Sequence, residues 1–118
     1  RQVTPKRLIC VFQPHRYTRT KFLREEFGRA FILADILILT DIYPAGEKPI
    51  PGITGEVIRD EVMRQSNQQP FYIADRTKIA QYLADIVEPG DLILTMGAGN
   101  IYAVGEELFE LLAEKNTR

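Results

Sequence analysis

Leu8-Ile9-Cys10-Val11-Phe12-Gln13-Pro14-His15-Arg16-Tyr17-Thr18-Arg19-Thr20 decides the fold of this chain. Its first five residues are apolar with no polar alternation, the pattern of a strand buried on both faces. A helix begins near Thr20, in which Leu23, Phe27, Ala30, Phe31 and Ala34 fall on one stripe. A strand that feeds a helix is the unit of an α/β domain, and the junction between the two is where such domains dock ligands. This junction carries the only histidine, His15, beside Arg16 and Arg19.

The same unit recurs along the chain. Ile36 to Thr40, Phe71 to Ala74 and Leu92 to Met96 read as further buried strands. Val57, Ile58 and Val62 give the second helix a thin stripe. Ile79, Leu83, Ile86 and Val87 mark a third, after Asp75 as N-cap and before a Pro89-Gly90 stop. Ile101, Val104, Leu108, Leu111 and Leu112 give the last helix a wide apolar face. Strands alternating with helices of this length predict βαβ units with right-handed crossovers. The expected architecture is a Rossmann-like, three-layer α/β domain: a mostly parallel sheet of four or more strands with helices on both faces. At 118 residues the chain fits a single domain, 1–118, with no room for a second nucleotide-binding lobe.

Composition excludes several classes. Fifteen basic and 16 acidic side chains leave a formal charge of -1, so no electrostatic footprint predicts nucleic acid or an anionic membrane as partner. No apolar run approaches the ~20 residues that span a bilayer. Cys10, the lone cysteine, sits in an apolar strand as a small hydrophobe, which fits a reducing cytoplasm. A start on Arg1 that enters a strand within a few residues reads as a piece of a longer polypeptide. There is no G-x-x-x-x-G-K-[ST], no Ser or Cys nucleophile near the histidine, and no second histidine for a His-rich metal cluster. The adjacent carboxylates Glu25-Glu26, Asp60-Glu61 and Glu106-Glu107 lie in helices and point apart, as solvated faces.

Ligands of open parallel sheets lie outside the carboxyl ends of the strands. Four loops make that edge: Gln13 to Thr18, Asp41 to Gly55, Asp75 to Thr77 and Gly97 to Asn100. Arg16 and Arg19, three apart at a helix start, either offer paired N–H forks to a small anion or stand solvated or paired with Glu25 or Glu56. His15 is either a hydrogen-bonded structural residue or part of the same site. The second loop is long and holds three prolines between Pro44 and Pro51, which marks it as functional. Its Asp41 either binds a ligand amine or hydroxyl or caps its own turn, and Tyr43 and Glu47 share that ambiguity. Gly97-Ala98-Gly99-Asn100 fails as a dinucleotide fingerprint, because Tyr102 stands where a small residue is needed. It is either a tight turn or a place where backbone amides approach a ligand.

Val11-Phe12-Gln13-Pro14-His15-Arg16-Tyr17-Thr18-Arg19-Thr20 resembles a signature of the C-terminal domain of the Mur ligase family. Asp41-Ile42-Tyr43-Pro44-Ala45-Gly46-Glu47 with Pro49-Ile50-Pro51-Gly52, and Gly97-Ala98-Gly99-Asn100-Ile101, resemble its other C-terminal motifs in the same order. His15-Arg16-Tyr17-Thr18-Arg19 matches the alanine-adding members better than the sibling that attaches a tripeptide. The resemblance implies an ATP-dependent amide ligase of cytoplasmic peptidoglycan synthesis that joins L-alanine to the lactyl carboxylate of UDP-N-acetylmuramate. Family members have three domains. The N-terminal one holds the UDP-sugar, the central P-loop domain holds ATP and Mg2+, and the C-terminal one closes over them with the amino acid. On this resemblance His15, Arg16 and Arg19 bind L-alanine, with the arginines on its carboxylate and His15 orienting it. Asp41, Tyr43, Glu47, Gly97, Gly99 and Asn100 then wall the pocket. No catalytic residue and no metal ligand falls within the chain, which is expected to be inactive alone. The family domain also begins earlier, with a strand and an Asp- and His-bearing motif that this chain lacks, so the sheet is expected to miss an edge element. Two readings independent of the resemblance remain: a stand-alone module that binds a small anion or nucleotide without catalysis, and an interaction domain whose carboxyl edge meets a partner protein.

Overall fold

In chain order the elements of the computed structural model are β1 (Leu8–Gln13), α1 (Tyr17–Ala30), β2 (Ile36–Leu39), α2 (Gly55–Gln65), β3 (Phe71–Tyr72), α3 (Ile79–Ile86), β4 (Leu92–Gly97) and α4 (Ala103–Asn116). The structure describes residues 6–97 and 100–116. All pairings are parallel, in the order β3-β2-β1-β4. β1 takes a central place, with Cys10 opposite Leu37 on one side and Leu94 on the other.

Side chains alternate across β1 and feed two cores. Cys10 and Phe12 pack with Phe31, Leu39, Ile58 and Val62 beneath α1 and α2. Ile9 and Val11 pack with Ile38, Leu83, Val104 and Leu108 beneath α3 and α4. The result is the expected three-layer α/β arrangement, with helices on both faces. Burial raises the pKa of the Cys10 thiol, in keeping with a packed hydrophobe. Among the described residues no helix is long and apolar enough to cross a membrane.

Four local expectations need correction or refinement. α1 starts at Tyr17, not near Thr20, because its cap comes from elsewhere in the chain. Arg16 at the N-cap makes no side-chain cap bond. Instead the Glu47 carboxylate accepts Tyr17 N–H (2.7 Å), Thr18 N–H (3.2 Å) and the Thr18 hydroxyl (2.6 Å). β3 is two residues long, not four; past it Ile73 N–H still donates to Leu39 O at 2.8 Å, and then the Thr40 hydroxyl donates to Ala74 O at 3.0 Å in place of a backbone bond. β4 is not buried on both faces. Leu92 and Leu94 are 43% and 41% exposed, because β4 is a sheet edge and no described helix covers its α1 side. Asp75 does cap, but its carboxylate accepts Thr77 N–H (3.0 Å) to open a 3-10 turn, Arg76–Lys78, that runs into α3.

The amino ends of β1 and β4 are locked by Arg7, whose Nε and Nη2 donate to the two Asp91 carboxylate oxygens at 3.0 and 2.7 Å. This bidentate pair fixes the register that brings Gln13 level with Gly97 at the other end.

Candidate functional site

The chain runs β1, β2, β3 in one direction across the sheet and then crosses back to place β4 on β1's far side. The helices that follow β1 and β4 therefore leave on opposite faces, and a crevice opens between their starts at the strands' carboxyl ends. There the structure has a cavity of about 350 Å3 lined by Phe12, Gln13, His15, Arg19, Phe27 and Gly97. Phe12 and Gln13 are consecutive in β1 and face opposite sides of the sheet, so a cavity lined by both lies across the strand's tip. Gly97 makes the closure possible. Its φ is 132°, and a Cβ there would overlap the Gln13 carbonyl oxygen.

Arg19 stands in the first turn of α1, exposed, and no described residue pairs with it. Glu56 is engaged by Arg59 instead, at 3.2 Å. Arg19 is thus a free cation on the cavity wall, beside the positive end of α1. Arg16 is exposed too, but is not a wall. Its backbone has φ 67°, an uncommon conformation for a side-chain-bearing residue, and its N–H donates to Tyr43 O at 2.8 Å. The two arginines, paired by spacing, are therefore separated by the helix start: one lines the cavity, the other stands at the cap beside Glu47.

His15 is held in place by the second loop. Tyr43 N–H donates to Pro14 O at 2.8 Å, which with the Arg16 bond forms an isolated parallel bridge between His15 and Tyr43. The two rings stack with centroids 6.1 Å apart and 14° between planes. Glu47 completes the clasp. The Thr18 hydroxyl, then the Thr18 and Tyr17 amides and the nearby Arg16 charge, hold its carboxyl below the ordinary glutamate range.

Asp41 acts inside its own loop, where Oδ1 accepts Ile42 N–H (2.9 Å) and Gly55 N–H (3.1 Å) and so ties the strand end to the start of α2. Gly55 admits no side chain there, since a Cβ would run into the Thr40 carbonyl oxygen. Burial, and then the Asp41 charge, raise the pKa of Tyr72 above the ordinary tyrosine range. Asn100 is exposed, and its carbonyl accepts Ala103 N–H at 3.1 Å. Asp41, Tyr43, Glu47 and Asn100 are thus not among the residues that line the cavity; Tyr43 braces the His15 wall, Glu47 holds the start of α1 and Asp41 its own loop. Gly99 lies outside the described residues.

Three walls escaped the sequence reading. Phe12 and Phe27, rings 5.1 Å apart, were read as core. Gln13 reads in the sequence as the first residue of a loop on the ligand-bearing edge, without a role of its own. It has a signal: a carboxamide ending an otherwise apolar strand. It is 6% exposed, and its Oε1 is buried with no hydrogen-bond partner among the described residues.

The family described as "Mur ligase, glutamate ligase domain" matches residues 1–99. The chain belongs to the Mur ligase family. The resemblance carried by the three motifs is borne out by relatives as well as by the family match. This Mur ligase domain is 56% identical over 109 residues to the UDP-N-acetylmuramate–L-alanine ligase of Geotalea daltonii, covering 92% of the chain and 24% of the relative. It is 58% identical over 107 residues to the ligase of that name from Geotalea uraniireducens, covering 91% and 23%. Against that of Desulforamulus reducens the identity is 49%, covering 94% and 24%. The chain thus spans about a quarter of the length of the curated relatives it matches. The crystal structure of UDP-N-acetylmuramate-alanine ligase from Thermotoga maritima has the same fold over 95% of this Mur ligase domain and 21% of its own chain, with a TM-score of 0.68 at 19% identity.

Proposed function

We propose that this chain is the C-terminal, closing domain of a three-domain ligase that uses ATP to join L-alanine to UDP-N-acetylmuramate in the cytoplasm, during peptidoglycan synthesis. Within it, the domain binds the amino acid. The observation that carries this reading is the cavity at the switch point between β1 and β4, where the unpaired Arg19 stands beside His15. An α-amino acid carboxylate suits that wall, because a guanidinium fork and a helix N-terminus both favour a planar anion. Phe12 and Phe27 add an apolar surface suited to a small aliphatic side chain. Arg16, outside the cavity in this form, supplies the second half of the clamp by turning about its side-chain bonds or when the other domains close.

The chain's own residues do not fit Mg2+-ATP. The sequence has no P-loop, and among the described residues no three His, Cys, Asp or Glu gather to hold a metal ion. On this reading ATP, Mg2+ and the UDP-sugar are held by the rest of the ligase, and this domain contributes orientation. Fixing the alanine carboxylate fixes the direction of its amine, which converts an encounter into a positioned attack.

Arg19→Ala in the full-length ligase tests the assignment. A lost charge-assisted bond of about 1.5–3 kcal/mol raises the alanine KM about 10- to 100-fold while the KM for ATP stays within twofold. An unchanged alanine KM would remove Arg19 from the site.

A further inference from the structure

We infer that Gln13 receives the ammonium group of the bound amino acid and so acts as a positioning residue for the amine; this rests on the amino-acid-binding reading above. Three observations meet at this side chain. Gln13 is a wall of the cavity, it is 6% exposed, and its Oε1 is buried without a donor among the described residues. An unpaired buried acceptor is costly and rare in a folded protein, so a missing donor is the natural reading of such an atom.

The chemistry of the other walls narrows what that donor is. An amino acid brings a carboxylate and an ammonium together, and a site that fixes its orientation needs donors for one and an acceptor for the other. Arg19 offers donors only, and Phe12, Phe27 and Gly97 bring no side-chain acceptor. The His15 ring is stacked on Tyr43 and held by the second loop. Among the described walls, Gln13 is the one with an orphaned acceptor. Gln13 ends β1 and Arg19 lies in the first turn of α1, so the two charges of the amino acid are read by two different elements. A ligand that carries the carboxylate but lacks the ammonium gains from the second alone.

Propionate is such a ligand, with alanine's methyl-bearing carbon chain and carboxylate but no amine. In the full-length ligase, Gln13→Leu is expected to raise the alanine KM about 10- to 100-fold while leaving inhibition by propionate within twofold. Gln13→Glu, which keeps an acceptor in place, is expected to keep the alanine KM within about threefold. It is also the variant that decides should the leucine form fail to fold. Equal weakening of alanine and propionate by Gln13→Leu, no weakening of either, or a tenfold loss with Gln13→Glu each overturns the inference. Arg19→Ala separates this failure from that of the underlying site: it weakens propionate and alanine together if the site is right, and leaves both unmoved if it is not.

Discussion

Glu47 is the residue on which the most local geometry depends. One carboxylate ties the second loop to the start of α1, next to the His15–Tyr43 bridge. Because its folded pKa is lowered, its contribution is present above the ordinary glutamate value of about 4.3 and is lost as pH falls through the lowered value. The amide resonances of Tyr17 and Thr18 should therefore shift together below about pH 4. Glu47→Gln should abolish that titration and fray the first turn of α1 at neutral pH; titration curves unaltered by the substitution would contradict the clasp. Much of the site was legible at this scale, because His15, Arg19 and Gly97 are chemically unusual residues at a strand–helix junction. The illegible part was long-range. No local pattern says that Glu47 caps a helix 30 positions away, that Asp41 serves its own loop, or that Phe12 and Phe27 border a cavity as well as a core.

Among the elements, β4 departs most from what its composition predicts. Leu92 to Met96 reads as a strand covered on both sides, yet exposure alternates along it. Apolar runs report that a strand is apolar; which neighbours cover it is a property of sheet order, and no helix among the described residues lies over β4 on the α1 side. The number, order and type of the elements were legible because periods of two and 3.6 are strong in β1, α3 and α4, whereas the start of α1 and the length of β3 depend on side chains from elsewhere. The asymmetry of β4 is measurable. Leu94→Thr should change unfolding free energy by less than about 1 kcal/mol, while Leu83→Ala, in the fully buried face of α3, should cost about 2–5 kcal/mol. Urea denaturation of both variants checks this, and equal losses would mean that β4 is covered after all.

For the whole molecule, the proposed reading makes the cavity one side of a site completed by other domains. Among the described residues the cavity has a cation without a partner, a braced histidine and a carboxamide acceptor, and the sequence has no P-loop for a nucleoside triphosphate. Given ATP, UDP-N-acetylmuramate and alanine, the isolated chain is expected to release no phosphate above background; a phosphate-release assay showing turnover would refute the assigned division of labour. The lock between Arg7 and Asp91 has a further consequence, in time. Those residues are 84 positions apart, whereas Leu8 meets Asp35 over a separation of 27. Closing the longer loop costs only about 1 kcal/mol more in chain entropy, but its far end is synthesised much later than Asp35. A nascent chain can zip β1 to β2 early and must then hold β1's other edge open until β4 emerges. Since Gly97 is the last of the described wall residues to be synthesised, a half-made chain carries Gln13, His15 and Arg19 but no closed pocket around them.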